Sequence, residues 1–206
     1  MVKRVIIEGL IGSGKSTVME TAMNMYNSKY ADRAKAYPEL VETWTELPLF
    51  YADPPTWCLP LNLRILLSQK IQYNDSVACA SEHKIHLFER SPLSCRHVFC
   101  QSHFNEGVLS QKQWRLFKDY YNLLKWEPGK DDLIIYIDTP VDVCHERVKE
   151  RNRGGEDPID LKYLHKLEFQ YKNNLLTYTE CPVIKIDGLQ SKDDIANELL
   201  AILSDL

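Results

Sequence analysis

The residues best able to do chemistry stand at positions 9 to 16. Gly9-Leu10-Ile11-Gly12-Ser13-Gly14-Lys15-Ser16 satisfies the spacing G-x-x-x-x-G-K-[ST] in full. Glycines so placed let successive backbone N–H groups converge on phosphate oxygens, and a helix opening at Lys15 adds the partial positive charge of its N-terminus. Lys15 brings a mobile cation, and Ser16, followed by Thr17, brings a hydroxyl suited to Mg²⁺. Gly9, Gly12, Ser13, Gly14, Lys15, Ser16 and Thr17 are therefore predicted to hold the phosphate tail of a nucleoside triphosphate. Three charged groups stand ready to act on it. Glu39, with Glu42 as a rival three residues on, could orient a hydroxyl and accept its proton. Glu89-Arg90-Ser91 follows an apolar run, and ligands of α/β sheets bind at the carboxyl ends of strands. Arg147, Arg151 and Arg153 carry planar forks that pair with phosphate oxygens and stay charged at any working pH.

These groups need a scaffold that brings them to one edge. Val2 to Glu8 reads as a short strand running into the glycine loop, and residues from Lys15 to Tyr26 are mostly good helix formers. Further strands are predicted at Lys35 to Leu40, Ile85 to Glu89, Leu133 to Asp138 and Val183 to Asp187, with stretches between them long enough for helices. Such alternation implies a parallel sheet covered on both faces. Ser110 with Gln113 and Ser191 with Asp194 resemble capping boxes that open two helices. Another helix is predicted from about Leu61 to Val77. The polar stretch Arg151 to Asp157, with Gly154 and Gly155, interrupts helical text and suits a lid.

Composition narrows the class. The chain has 206 residues with 44% hydrophobic and 26% charged, a balance that fits one ordinary globular domain over 1–206 and excludes disordered, collagenous and disulfide-scaffold classes. No apolar run approaches the roughly 18 residues needed to span a bilayer. The net charge of -4 gives no overall basic field for nucleic acid, so an anionic ligand must be held by local cations. Six cysteines without a C-x-x-C pair point to reduced thiols. Lys3 and Arg4 precede too short an apolar run for a signal peptide, so a cytoplasmic enzyme without membrane or nucleic-acid partner is expected. Cys95, His97, Cys100 and His103 have metal-type side chains, but their helical spacing does not readily complete a tetrahedron.

A phosphate loop alone does not separate kinases from switches. No N-K-x-D guanine-reading tetrad is present, whereas three segments resemble the deoxynucleoside kinase family, in the branch shared by deoxycytidine, deoxyguanosine, mitochondrial thymidine and insect broad-specificity kinases. Glu39-Leu40-Val41-Glu42-Thr43-Trp44 is similar to E-P-V-x-x-W, with Leu40 in place of proline; Glu89-Arg90-Ser91 is similar to E-R-S; and Arg147 to Arg153 is similar to R-x-x-x-R-x-R. The resemblance runs from Val5 to about Leu203. It implies a P-loop kinase fold, α/β, with a five-stranded parallel sheet, helices on both faces and an arginine-rich lid at about 147–157. It implies transfer of the γ-phosphoryl of ATP, with Mg²⁺, to a nucleoside 5′-hydroxyl. Glu39 would be the catalytic carboxylate, with Arg90, Arg147, Arg151 and Arg153 assisting transfer and Arg151 also touching ATP. Ser16 and Glu89 would serve the metal ion. Tyr51 and Glu156 would hold the 3′-hydroxyl, Phe99 would stack on the base, and Trp44 would line the pocket. The family also implies a homodimer built from apolar helices.

At the base the sequence departs from this pattern. Leu61 and Asn62 stand where most of the family has phenylalanine and glutamine, so the amide that would make a two-point contact with the base is one methylene shorter. Gln69 and Cys95 stand where cytidine- and purine-preferring members carry arginine and aspartate. Neutral, smaller groups there resemble the thymidine-accepting members, so a pyrimidine preference with thymidine favoured is expected. The rival expectations are a thymidylate kinase, which would accept dTMP, and a nucleotide-gated binding module that forms no phosphorylated nucleoside.

Overall fold

The computed structural model describes residues 3–31, 33–151, 159–178 and 180–206. Five strands, β1 (Lys3–Glu8), β2 (Ala34–Tyr37), β3 (Ile85–Glu89), β4 (Leu133–Asp138) and β5 (Val183–Asp187), form one parallel sheet in the order β2-β3-β1-β4-β5. Alternation along each strand divides the core between the two faces. Val5, Ile7, Ile85, Leu87, Leu133, Ile135 and Ile137 face α1 (Lys15–Tyr30) and the C-terminal helix Lys192–Ser204. Ile6, Phe88, Ile134 and Tyr136 face the opposite way, toward Val141, Cys144, Val148, Leu164 and Leu167. Strands buried on both faces read as largely apolar text, which is why β3 and β4 lie at their predicted bounds; β5, at the sheet edge with Ile184 and Lys185 exposed, lies at its predicted bounds as well.

A third apolar cluster lies beside the sheet. It joins α2 (Leu47–Ala52) and α3 (Pro54–Ala78) through Phe50, Cys58, Leu61 and Leu66 to Trp114, Phe117 and Tyr121. Proline in the first turn starts α3, and Pro60 lies inside it, so the helix begins before the predicted Leu61. After β3 the chain winds continuously through α4 (Pro92–Ser94), a π-helical turn Cys95–Cys100 and α5 (Gln101–Asn105). α6 (Gln111–Leu124) opens on the predicted capping box, Gln113 N–H donating to Ser110 Oγ at 3.3 Å and Ser110 N–H to Gln113 Oε1 at 2.9 Å. α7 (Val141–Arg151) follows β4. α8 (Leu161–Gln170) leads into a second π-helical turn, Tyr171–Leu175, and α9 (Leu176–Tyr178); α10 (Lys192–Ser204) begins at Ser191, whose Oγ accepts from Asp194 N–H at 3.1 Å.

Two boundaries correct the sequence reading. β2 ends at Tyr37, not Leu40, because Pro38 has no N–H for the ladder. Glu39 therefore leaves the strand and enters the loop beyond its carboxyl end. α1 runs to Tyr30, four residues past the prediction, where Ala31 turns left-handed at φ 55°. Among the described residues no helix is long and apolar enough to cross a membrane.

Candidate active site

The carboxyl ends of the strands open into one cleft of about 830 Å³. The glycine loop forms one wall. Gly12 and Gly14 hold φ of 82° and 96°, a region that a side chain strains to enter. A Cβ on Gly12 would also collide with the Cys144 carbonyl of α7, so loop and helix approach as closely as they do only because residue 12 has none. The Lys15 ammonium, buried at the loop, donates to the carbonyls of Leu10 at 2.7 Å and Gly9 at 3.1 Å. Burial, with Arg90 nearby, lowers its pKa to about 8. Ser16 and Thr17 line the cleft at the first turn of α1, and Ser16 Oγ donates to Glu89 Oε1 at 2.8 Å. A hydroxyl and a carboxylate oxygen facing each other beside a phosphate loop form a hard oxygen donor set, which fits Mg²⁺.

Opposite the loop, Glu39 forms an ion pair with Arg90 Nη1, both side chains nearly enclosed. Burial raises the Glu39 pKa above the ordinary carboxylate range, with Glu89 pushing the same way and Arg90 opposing it. Arg90 takes a left-handed φ of 64°, unusual for a side-chain-bearing residue and a strain of about 1–3 kcal/mol. Its N–H is held by Ile7 O at 2.9 Å, and its guanidinium lies 5.0 Å from the Phe99 ring centroid. The strained turn aims the guanidinium across the cleft at Glu39. Glu42, the rival carboxylate, is exposed at the rim.

Behind Arg90 lies a group that motif spacing did not reveal. Glu8, fully buried at the end of β1, accepts from Ser91 Oγ at 3.0 Å and from the Tyr171 hydroxyl at 3.1 Å; Arg90 Nε donates to that same hydroxyl at 3.4 Å. Burial pushes the Glu8 carboxyl up to about 7. Tyr171 reaches this network from the second π-helical turn, so no local sequence pattern connects it with Glu8. The one available signal was Glu8 itself, an acidic residue directly after an apolar strand.

The cleft continues into an apolar pocket. Trp44, Leu61, Asn62, Ile65, Gln69, Cys95 and Phe99 line it, together with Tyr51 and Tyr163. Phe99 and Cys95 come from the first π-helical turn. The Asn62 side chain departs from its expected part. Its Nδ2 donates to the Cys58 carbonyl one turn back at 2.7 Å, and its Oδ1 faces the Cys95 thiol at 3.7 Å. Gln69 holds the other amide: it is 6% exposed, and its Oε1 is buried without a partner among the described residues. Two further members of the histidine and cysteine cluster are apart in role: Cys100 is buried beside Cys95, while His103 binds Cys58 and Tyr163.

The arginine run divides. Arg147 on α7 donates to the Ser13 carbonyl at 3.4 Å and the Gly188 carbonyl at 3.2 Å, tying the glycine loop to the end of β5. Its guanidinium is thus engaged with backbone, while Arg151 lines the rim, exposed, at the end of α7. Arg153, Glu156 and most of the expected lid lie outside the described residues. Gln190, between β5 and α10, and Lys192, the first residue of α10, also line the cleft and were not anticipated.

Comparisons with known proteins agree with this arrangement. A profile described as "Deoxynucleoside kinase" matches residues 5–202. Protein 143R of Invertebrate iridescent virus 6, which carries a provisional kinase name, is 29% identical over 93% of this chain and 91% of its own. The mitochondrial deoxyguanosine kinase of Xenopus laevis is 29% identical over 86% of this chain and 75% of its own. A solved structure of deoxyadenosine kinase from M. mycoides superposes with a TM-score of 0.79 at 20% identity, covering 98% of this chain and 100% of that one; it shows the same fold. With the profile spanning nearly every element of the sheet and the whole cleft, the chain belongs to the deoxynucleoside kinase family.

Proposed function

We propose that this enzyme transfers the γ-phosphoryl group of ATP to the 5′-hydroxyl of a deoxynucleoside, with thymidine favoured among the bases. The observation that carries the reading is one cleft joining a phosphate loop, the Glu39–Arg90 pair and an uncharged apolar pocket. The loop amides and Lys15 hold the triphosphate, while the pocket holds the nucleoside with its 5′-oxygen at Glu39. As the new phosphorus–oxygen bond forms and the bond to the β-phosphate breaks, Glu39 accepts the hydroxyl proton. Arg90 keeps Glu39 in position and offers positive charge to the transfer region. Ser16 and Glu89 would hold Mg²⁺, which neutralises charge on the phosphates when bound. Positioning and electrostatics supply most of the rate enhancement in such transfers.

The base preference rests on the deep pocket. Gln69 and Cys95 are neutral, so a methyl-bearing pyrimidine set against them meets no charge at those two positions, the Arg90 guanidinium lying instead over the Phe99 ring. With Asn62 tied to its own helix, Gln69 is the amide left to meet the base edge. Tyr51 would hold the sugar. Exposed Ile71 on α3 and Leu116 and Leu123 on α6, two helices that pack together, support a homodimer in which a second copy covers them.

A steady-state panel of four deoxynucleosides plus dTMP tests this reading. Thymidine is expected to give the highest kcat/KM. A purine deoxynucleoside in that place would overturn the base preference, and dTMP as the best acceptor would make the enzyme a nucleotide kinase.

A further inference from the structure

Beneath the pocket a buried chain of three side chains links α3, α5 and α8. Cys58 Sγ lies 3.2 Å from His103 Nδ1, and His103 Nε2 lies 3.3 Å from the Tyr163 hydroxyl. Cys58 is fully buried, His103 is 4% exposed, and both His103 and Tyr163 line the cleft that also holds Tyr51. The imidazole lies nearly parallel to the Tyr163 ring, 8° apart at 6.1 Å, and is flanked by Phe50 at 5.1 Å. Packing from both sides fixes its orientation.

Proton directions along this chain are set by the His103 tautomer. The Cys58 sulfur already faces a donor, Asn62 Nδ2 at 3.5 Å, which leaves the thiol's own hydrogen available to His103 Nδ1. Burial supports both states: it pushes the thiol up to about 12, keeping it protonated, and the imidazole down to about 4, keeping it neutral. A neutral imidazole that accepts at Nδ1 carries its hydrogen on Nε2. In that tautomer His103 donates to the Tyr163 oxygen at 3.3 Å, which leaves the Tyr163 hydrogen to meet a ligand.

We propose that His103, oriented by Cys58, is a positioning residue that turns the Tyr163 hydroxyl into a hydrogen-bond donor aimed at the sugar, where it meets the 3′-hydroxyl oxygen of the bound deoxynucleoside. This rests on the nucleoside-kinase reading of the cleft and adds to it a specificity device. Recognition of a hydroxyl by a buried donor penalises a sugar that lacks it, since the donor is then left unpaired.

Binding titrations on the full chain test this with thymidine and with 2′,3′-dideoxythymidine, each measured on wild type, Tyr163→Phe, His103→Leu, His103→Gln and the double variant Tyr163→Phe/His103→Leu. Tyr163→Phe should raise the Kd for thymidine roughly tenfold and leave that for the dideoxy analogue within about twofold. His103→Leu should reproduce that selective loss, and His103→Gln, whose amide keeps a donor near the position of Nε2, should recover most of it. The double variant should bind no worse than Tyr163→Phe alone, because the two residues act through one hydroxyl. Equal losses on both ligands, or His103→Leu binding like wild type while circular dichroism shows it folded, would overturn the proposal alone. If His103→Leu does not fold, the Tyr163→Phe and His103→Gln pair decides by the same criteria. Wild type binding neither ligand would overturn the nucleoside reading and the proposal together.

Discussion

At the scale of single residues, Glu39 is the side chain on which the proposed chemistry turns. Glu39→Gln keeps size and hydrogen-bonding shape but cannot take a proton, so kcat should fall by about 10²–10⁴ while nucleoside Kd stays within a few-fold. Glu42→Gln, at the exposed rim, should stay near wild type; steady-state kinetics beside binding titrations check both. Lys15 sets an alkaline limit. Burial and Arg90 favour its neutral form and bring its pKa to about 8, so kcat/KM for ATP should decline as pH rises through that value. Glu8 acts on stability. Its folded pKa of about 7 exceeds the ordinary 4.5, so its contribution is fully present below about pH 4.5 and is lost as pH climbs through 7. Glu8→Gln cannot ionise, so its Tm relative to wild type should rise between pH 5 and pH 8, by up to about 3 kcal/mol in stability; calorimetry at the two pH values reads this. A constant difference would show that Glu8 keeps one protonation state throughout. The charged residues of the Glu39–Arg90 pair were legible because their types name a chemistry. Glu8 was not, since a lone carboxylate gains meaning only from Tyr171 and Ser91, 163 and 83 positions away.

Elements set these residues in place, and their legibility followed their physics. β3 and β4 are legible because strands covered on both faces are largely apolar, whereas β5, an exposed edge strand, is legible from its Val183, Ile184 and Ile186. The two π-helical turns were invisible, because a wider turn keeps ordinary helix-forming residues while shifting their facing. Yet those turns deliver Phe99 and Cys95 to the pocket and Tyr171 to Glu8. The proline inside α3 misled the reading of where that helix starts. The glycine loop, by contrast, was fully readable, since its glycines answer to backbone geometry and close approach. Gly12→Ala should therefore force the loop away from α7, weakening ATP binding by about 100-fold or more and lowering Tm. Isothermal titration with ATP and a thermal melt check it; unchanged ATP affinity would show that the loop tolerates a side chain.

For the molecule as a whole, the parallel order β2-β3-β1-β4-β5 gathers the ends of β1, β2 and β3 around one cleft, so residues 8, 39 and 89 to 90 meet although widely separated in sequence. The sheet could be expected from alternating elements; the depth of the pocket and the partners of its polar atoms could not, because they depend on packing between distant helices. Asn62 illustrates this, its amide being taken by the Cys58 carbonyl. At the same scale, Leu123→Glu on α6 places a charge in the proposed dimer face and should halve the mass seen by light scattering, while Glu placed at exposed Leu189 should leave it unchanged. The central claim is direct phosphoryl transfer to a nucleoside alcohol with Glu39 as the base. Its most direct test is a single-turnover reaction of γ-labelled ATP with thymidine, comparing wild type and Glu39→Gln. Label is expected on the nucleoside 5′-oxygen, formed at least about 100-fold more slowly by the variant; label released only as inorganic phosphate, or equal rates from the two proteins, would rule out direct transfer with Glu39 as the base.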